Sequence, residues 1–180
     1  YYHPPLYPWF IRGIYALSGA ANPDAVRVVQ VVLGALSSAM VVLLSSLLGA
    51  TPKRAGVAGL AMALLGSAVY FDVDLLPASL ATLMVLTGLV GLVAPAKRWW
   101  PGYAAFGLLS GLCLLLLPSV GLAIAAVLGW AALRHNLRGA LLAGGLAAAI
   151  VAPVAVRNYQ QQPDLVPISY NGGSTSGSAT

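Results

Sequence analysis

Charge is what this chain has least of. Only 7% of its 180 residues are charged, against 59% hydrophobic. A soluble domain carries roughly 25% charged residues. A soluble fold of this size could not hide so much apolar surface, so that class is excluded. Acids are scarcer still, four in all: Asp24, Asp72, Asp74 and Asp164. Cys113 is the single cysteine and lies inside an apolar run, which excludes an intrachain disulfide and a cysteine metal cluster. No P-loop, no GxGxxG after a strand, no HExxH and no Cys/His zinc spacing occurs, so the signatures of soluble nucleotide enzymes are missing. A chain that opens on Tyr1 rather than Met, without a signal peptide, is expected to be an internal piece of a longer protein.

What the chain does have is apolar runs separated by short polar connections. The expected fold is all-α: a polytopic transmembrane helix bundle of about six spans plus a short N-terminal interfacial helix. The opening stretch YYHPPLYPWFIRGIYALS mixes aromatics, prolines, His3 and Arg12. Residues 6–17 of it read as a helix lying in the interface, too short to cross, with Tyr7, Trp9 and Tyr15 as anchors. Spans are expected at about 25–50, 55–70, 75–93, 102–117, 119–133 and 139–156, followed by an external polar loop or tail over 160–180. Gly34 with Ser38 is a small-residue pair that lets another helix approach closely.

Residues 102–133 are ambiguous. As one helix they would measure about 48 Å, against an apolar core of about 30 Å, and Pro118-Ser119 sits in the middle. The basic loops favour two short spans in a hairpin, because Arg134, His135 and Arg138 then share a side with Lys53, Arg54, Lys97 and Arg98. Gly107 with Gly111, and Gly121 with Ala125 and Gly129, offer the small faces such a pair needs. Net charge is +5, but its pairing between apolar runs reports topology and not nucleic acid, which is not an expected partner. Six spans place six of the nine basic residues on the cytoplasmic side and all four acids opposite. The opening stretch, Asp72/Asp74 and Arg157 then converge on one non-cytoplasmic face.

Polar groups on that face each have two readings. His3 is an exposed loop histidine, or a phosphate contact or metal ligand. Asp72 and Asp74 cap and solvate the next span, or supply hard oxygens to a divalent metal or a sugar hydroxyl. Arg157 snorkels, or grips a lipid-linked phosphate with its planar fork, with Asn158 and Tyr159 adding hydrogen bonds.

Taken together, several of these stretches resemble a known family. They are YYHPPLYPWF, PDAVRVVQVVLGALSSAMVVLLSSLLG, a small-residue span ending near FDVD, GLLSGLCLLLLP, VAPVAVRNYQ and LVPISYNGG. The family is the polytopic glycosyltransferases of the GT-C class, which includes the protein O-mannosyltransferases and the lipid A aminoarabinose transferases. The most specific parts are His3-Pro4-Pro5-Leu6, Arg27 with Gln30, and Pro153 with Arg157-Asn158-Tyr159 followed by Val166 to Ser169 and Asn171 to Gly173. The resemblance makes residues 1–159 a partial GT-C transmembrane core.

The resemblance implies a glycosyltransferase whose donor is a sugar on a polyprenyl phosphate, with the site on the periplasmic or external face of a bacterial inner membrane. It implies donor phosphate and sugar contacts at His3, Arg157, Asn158 and Tyr159, and a metal or sugar-hydroxyl role at Asp72 or Asp74. The expected partners are the bilayer, the lipid-linked donor and an acceptor protein, lipid or glycan. The family's general base, an Asp in the first external loop, falls before Tyr1, so no catalytic acid is expected within these 180 residues. Relatives often place a basic residue and a proline ahead of the fifth span, whereas Leu116-Leu117-Pro118 is apolar here. The alternatives are a transporter or flippase bundle, which should carry midplane charges or broken helices, and a membrane scaffold without chemistry.

Overall fold

Seven α-helices can be delimited among the described residues, and the residues between them explain where several begin. A computed structural model of the chain describes residues 6–19, 21–66, 70, 76–95, 97–134 and 136–161. The helices are α1 (Leu6–Ser18), α2 (Pro23–Leu47), α3 (Pro52–Ala63), α4 (Ala78–Val93), α5 (Trp100–Leu116), α6 (Gly121–Arg134) and α7 (Leu137–Gln161). No strand occurs among the described residues.

Local chemistry sets the boundaries. Gly19, at φ 73°, ends α1 in a conformation that glycine adopts without strain. The Asn22 side chain then accepts from the Asp24 backbone N–H at 3.0 Å, and Pro23 opens α2 in a position where no amide hydrogen is needed. Asn136 caps α7 in the same way, accepting from the Gly139 N–H at 3.1 Å. Within α2, Ser37, Ser38 and Ser46 donate back to the carbonyls of Leu33, Gly34 and Val42 at 2.9–3.1 Å. Each hydroxyl is thereby satisfied inside its own helix, as an apolar solvent demands.

Residues 100–134 are two helices. α5 ends at Leu116, and a single 3₁₀ turn, Pro118–Val120, leads into α6. Contacts fix the directions. Tyr103 lies on Gly139, Gly107 on Ala143 and Gly111 on Ala147, so α5 and α7 run parallel. α6 returns antiparallel to α7 and packs along it, with Leu128 on Gly144 near the turn at Asn136. α4 is antiparallel to α5, pairing Ala81 with Cys113 and Gly88 with Phe106. α3 folds back on α2, where Gly59 meets Val42 and the Ser38 carbonyl. α4 starts where Leu76 meets Gln30, near the beginning of α2, and packs along it in the same direction.

The α5–α7 seam is close. A Cβ added to Gly107 would fall 2.7 Å from the Ala143 Cα, and one on Gly111 would fall 3.1 Å from the Ala147 Cα. The Gly107/Gly111 face expected to join α5 to α6 therefore joins α5 to α7 instead, while Gly121 does meet Leu114 of α5. Ala125 is exposed, and Gly129 faces open space. Ser38 does receive a helix, α3, through Gly59.

The interior mixes large apolar side chains, Val26, Phe106, Leu115, Leu116 and Ile124, with small and polar ones, among them Ala55, Ala81, Ala143, Gln30, Ser37, Ser79 and Ser110. Large apolar residues point outward along several helices, among them Val28, Val32, Leu36, Leu60, Leu108, Leu122, Leu133 and Leu141. Apolar surface on this scale needs a lipid solvent. Among the described residues two helices, Pro23–Leu47 and Leu137–Arg157, are long and apolar enough to cross a membrane; Ala78–Val93, Trp100–Leu116 and Pro118–Leu133 are shorter. The expectation of six full spans is thus met only in part. The expected span 55–70 departs most, since α3 stops at Ala63, about 18 Å long at 1.5 Å per residue.

Candidate functional site

The helix directions divide the bundle into two ends. One holds the tight turns Leu48 to Thr51, Ala94 to Trp99 and the link before Leu137. Lys53, Arg54, Lys97, Arg98 and Arg138 lie there with exposed side chains, and Arg134 closes α6 at the same level. The other end gathers α1, the start of α2, the start of α4, the Pro118 turn and the last turns of α7. The registers that pair Ala81 with Cys113 and Gly111 with Ala147 bring Leu76, Pro118 and the stretch from Pro153 to one level.

At this second end three elements meet on one side chain. Gln30 of α2 is 1% exposed. Its Nε2 donates to the Leu76 carbonyl at 2.7 Å and to the Tyr7 hydroxyl of α1 at 3.3 Å. A carbonyl can only accept, so the amide orientation is fixed with nitrogen toward Leu76. That leaves Oε1 buried with no donor among the described residues. The Tyr7 ring stacks on Phe10, 6.0 Å between centroids, which stiffens the contact from α1. One turn before Gln30, Arg27 donates to Asp24 Oδ1 at 2.7 Å. Both side chains are exposed at the lip of the bundle.

Arg157 sits in the last turns of α7 with its side chain exposed, four residues beyond Pro153 and therefore on the same helix face. Pro153 has no amide hydrogen to give the Ala149 carbonyl, the usual place for a helix to bend. Asn158 and Tyr159 continue α7, so their backbone follows Arg157, while their side chains lie outside what the structure describes. His3, Asp72 and Asp74 lie outside the described residues altogether. Among the described residues no group of three His, Cys, Asp or Glu comes together.

Among the sequence candidates, then, the fold brings Arg157 to the same end as α1 and Leu76, the residue that follows the acidic segment. Gln30 is what the sequence reading passed over as a site residue. A lone glutamine in an apolar helix signals only that it needs partners, and both partners come from other elements.

No curated protein and no solved structure shows a significant match to the chain. A family model does match it, over residues 2–156, and that covers α1 through nearly all of α7. On that match the chain belongs to the dolichyl-phosphate-mannose-protein mannosyltransferase family, a family of membrane glycosyltransferases.

Proposed function

We propose that the protein transfers a sugar from a polyprenyl-phosphate-linked donor to an acceptor on the periplasmic or external face of a bacterial inner membrane. The family's name, with its dolichyl-phosphate-mannose donor, supports that donor class. The observation that carries the reading is the gathering of α1, Leu76 and Arg157 at the end of the bundle opposite the basic turns. Positive loops favour the cytoplasm, so this end faces out.

In the reaction, the acceptor hydroxyl forms a bond to the anomeric carbon as the bond from that carbon to the phosphate oxygen breaks. The hydroxyl proton passes to a general base, a role assigned to none of these residues. Polyprenyl phosphate leaves with an added negative charge. Arg157 is proposed to meet that charge with its guanidinium, aided by Asn158, Tyr159 and His3. Asp72 or Asp74 is proposed to hold a sugar hydroxyl or a divalent metal. Charged side chains in α2, α4, α5, α6 and α7 sit only near helix ends, which suits headgroup chemistry better than a transport path.

The test uses membranes containing the full-length protein and polyprenyl-phosphate-linked mannose labelled in the sugar. Arg157→Ala is expected to abolish release of label from the lipid while leaving insertion intact. Normal turnover in that variant would remove Arg157 from the site.

A further inference from the structure

We infer that Gln30 is a positioning residue of the transferase: its amide clamps the interfacial helix α1 and the start of α4 onto α2, at the end of the bundle where the transfer is proposed to occur. The inference rests on that proposed reading for its link to turnover, and on geometry for the clamp.

The geometry is specific. One Nε2 reaches two elements at once, the Tyr7 hydroxyl at 3.3 Å and the Leu76 carbonyl at 2.7 Å. Tyr7 and Leu76 lie 23 and 46 residues away along the chain, so neither bond is local. The amide's other half is buried without a donor among the described residues. If the position served packing alone, leucine or methionine would fill the same volume and bury no unpartnered acceptor. The side chain is therefore held for what its nitrogen does.

A clamp of this kind acts on geometry rather than on stability. Replacing Gln30 by methionine loses two hydrogen bonds but also removes the orphan acceptor. The two changes oppose each other, so the thermal midpoint should hold within about 2 °C. α1 should loosen, with amide hydrogen exchange in residues 6–18 rising about three- to ten-fold while that of α5 stays unchanged. Transfer should fall about ten-fold, on kcat, with the donor KM within about two-fold, because the reacting groups are misplaced rather than unbound.

The experiment compares Gln30→Met, Tyr7→Phe and the double variant of the full-length protein. Exchange is read without any donor; turnover is read with polyprenyl-phosphate-linked mannose. Faster α1 exchange with reduced kcat in Gln30→Met, and no further loss when Tyr7→Phe is added, supports the clamp. Unchanged α1 exchange overturns it. Additive losses overturn it as well, since the two residues would then act separately. Faster exchange with full turnover overturns the positioning role and leaves only a structural tie. Failure of the transfer reading itself would show separately, as no release of label by the unsubstituted full-length protein.

Discussion

The two ends of the bundle are built differently. At the basic end, connections are a few residues long. Leu48 to Thr51 joins α2 to α3 through Gly49 at φ 88°, and Asn136 turns α6 into α7 while capping it. At the opposite end α1 precedes α2 and residues 64–77 separate α3 from α4, while the link from α5 to α6 is a 3₁₀ turn as short as those at the basic end. Short turns hold neighbouring helices together and display charge. Longer segments leave room for groups that bind something, as functional loops on a rigid scaffold generally do. On the proposed reading, one end orients the protein and the other carries the chemistry.

The sharpest way to break that comparison is topological. Ser119 is exposed in the Pro118 turn, and Arg98 is exposed at the basic end. Single cysteines at these two positions, in a chain with Cys113→Ala, should react with a membrane-impermeant maleimide on opposite sides of the membrane. The Ser119→Cys variant is expected to label in intact cells and Arg98→Cys only after the membrane is opened. Labelling of both from one side would collapse the distinction between the ends.

Next in size is the functional contrast. Removing a charge that stabilises a developing anion costs about 10²- to 10³-fold in turnover. Arg157→Ala should show a loss at least that large, whereas Arg98→Ala, at the other end, should stay within about two-fold because rim charges there meet only solvent or headgroups. Equal losses in the two variants would mean that the ends do not divide the work.

Between the ends lies the α5–α7 seam, and there the effect is on assembly. Gly107→Val would drive a branched side chain into the Ala143 backbone, where neither helix can retreat without disturbing Gly111 and Tyr103. Overpacking of this kind costs about 1–3 kcal/mol. The thermal midpoint in detergent should drop, and Gly129→Val, which faces open space, should leave it unmoved.

These contrasts show what could be read from the chain and what could not. The helices and the break at Pro118 were legible because apolar runs and a proline act locally. α1 was expected at 6–17 and runs to Ser18. The early end of α3 was not legible, because residues 64–70 stay mostly apolar and the break falls on Leu64 and Leu65, which carry no stop signal. The stripe of Gly107 and Gly111 showed that something packs close but not which helix does, since small residues fit α6 and α7 equally. At the site, the placement of Arg157 followed from counting spans and charges. The bonds of Gln30 did not, because two of its three interacting elements are distant in sequence.

The smallest expected effect concerns a charge pair at the end opposite the basic turns. Arg27 lies there, in the second turn of α2, where the helix dipole opposes it. Asp24 offsets this on both counts: it suits the positive N-terminus, and it accepts from Arg27 at 2.7 Å. The pair is exposed, 50% for the Arg27 side chain and 79% for Asp24, so solvent screens it. Asp24→Asn should therefore lower stability by no more than about 1 kcal/mol. The Asn22 cap survives, because it uses the backbone N–H of residue 24. Most of the loss should vanish in about 1 M salt, where the screening length is about 3 Å. A larger, salt-insensitive loss would mean that the lip of α2 sits deeper in the low-dielectric layer than its exposure indicates. In that case this end would not be a water-facing rim, and a lipid-linked phosphate would meet Arg27 in a far less screened environment.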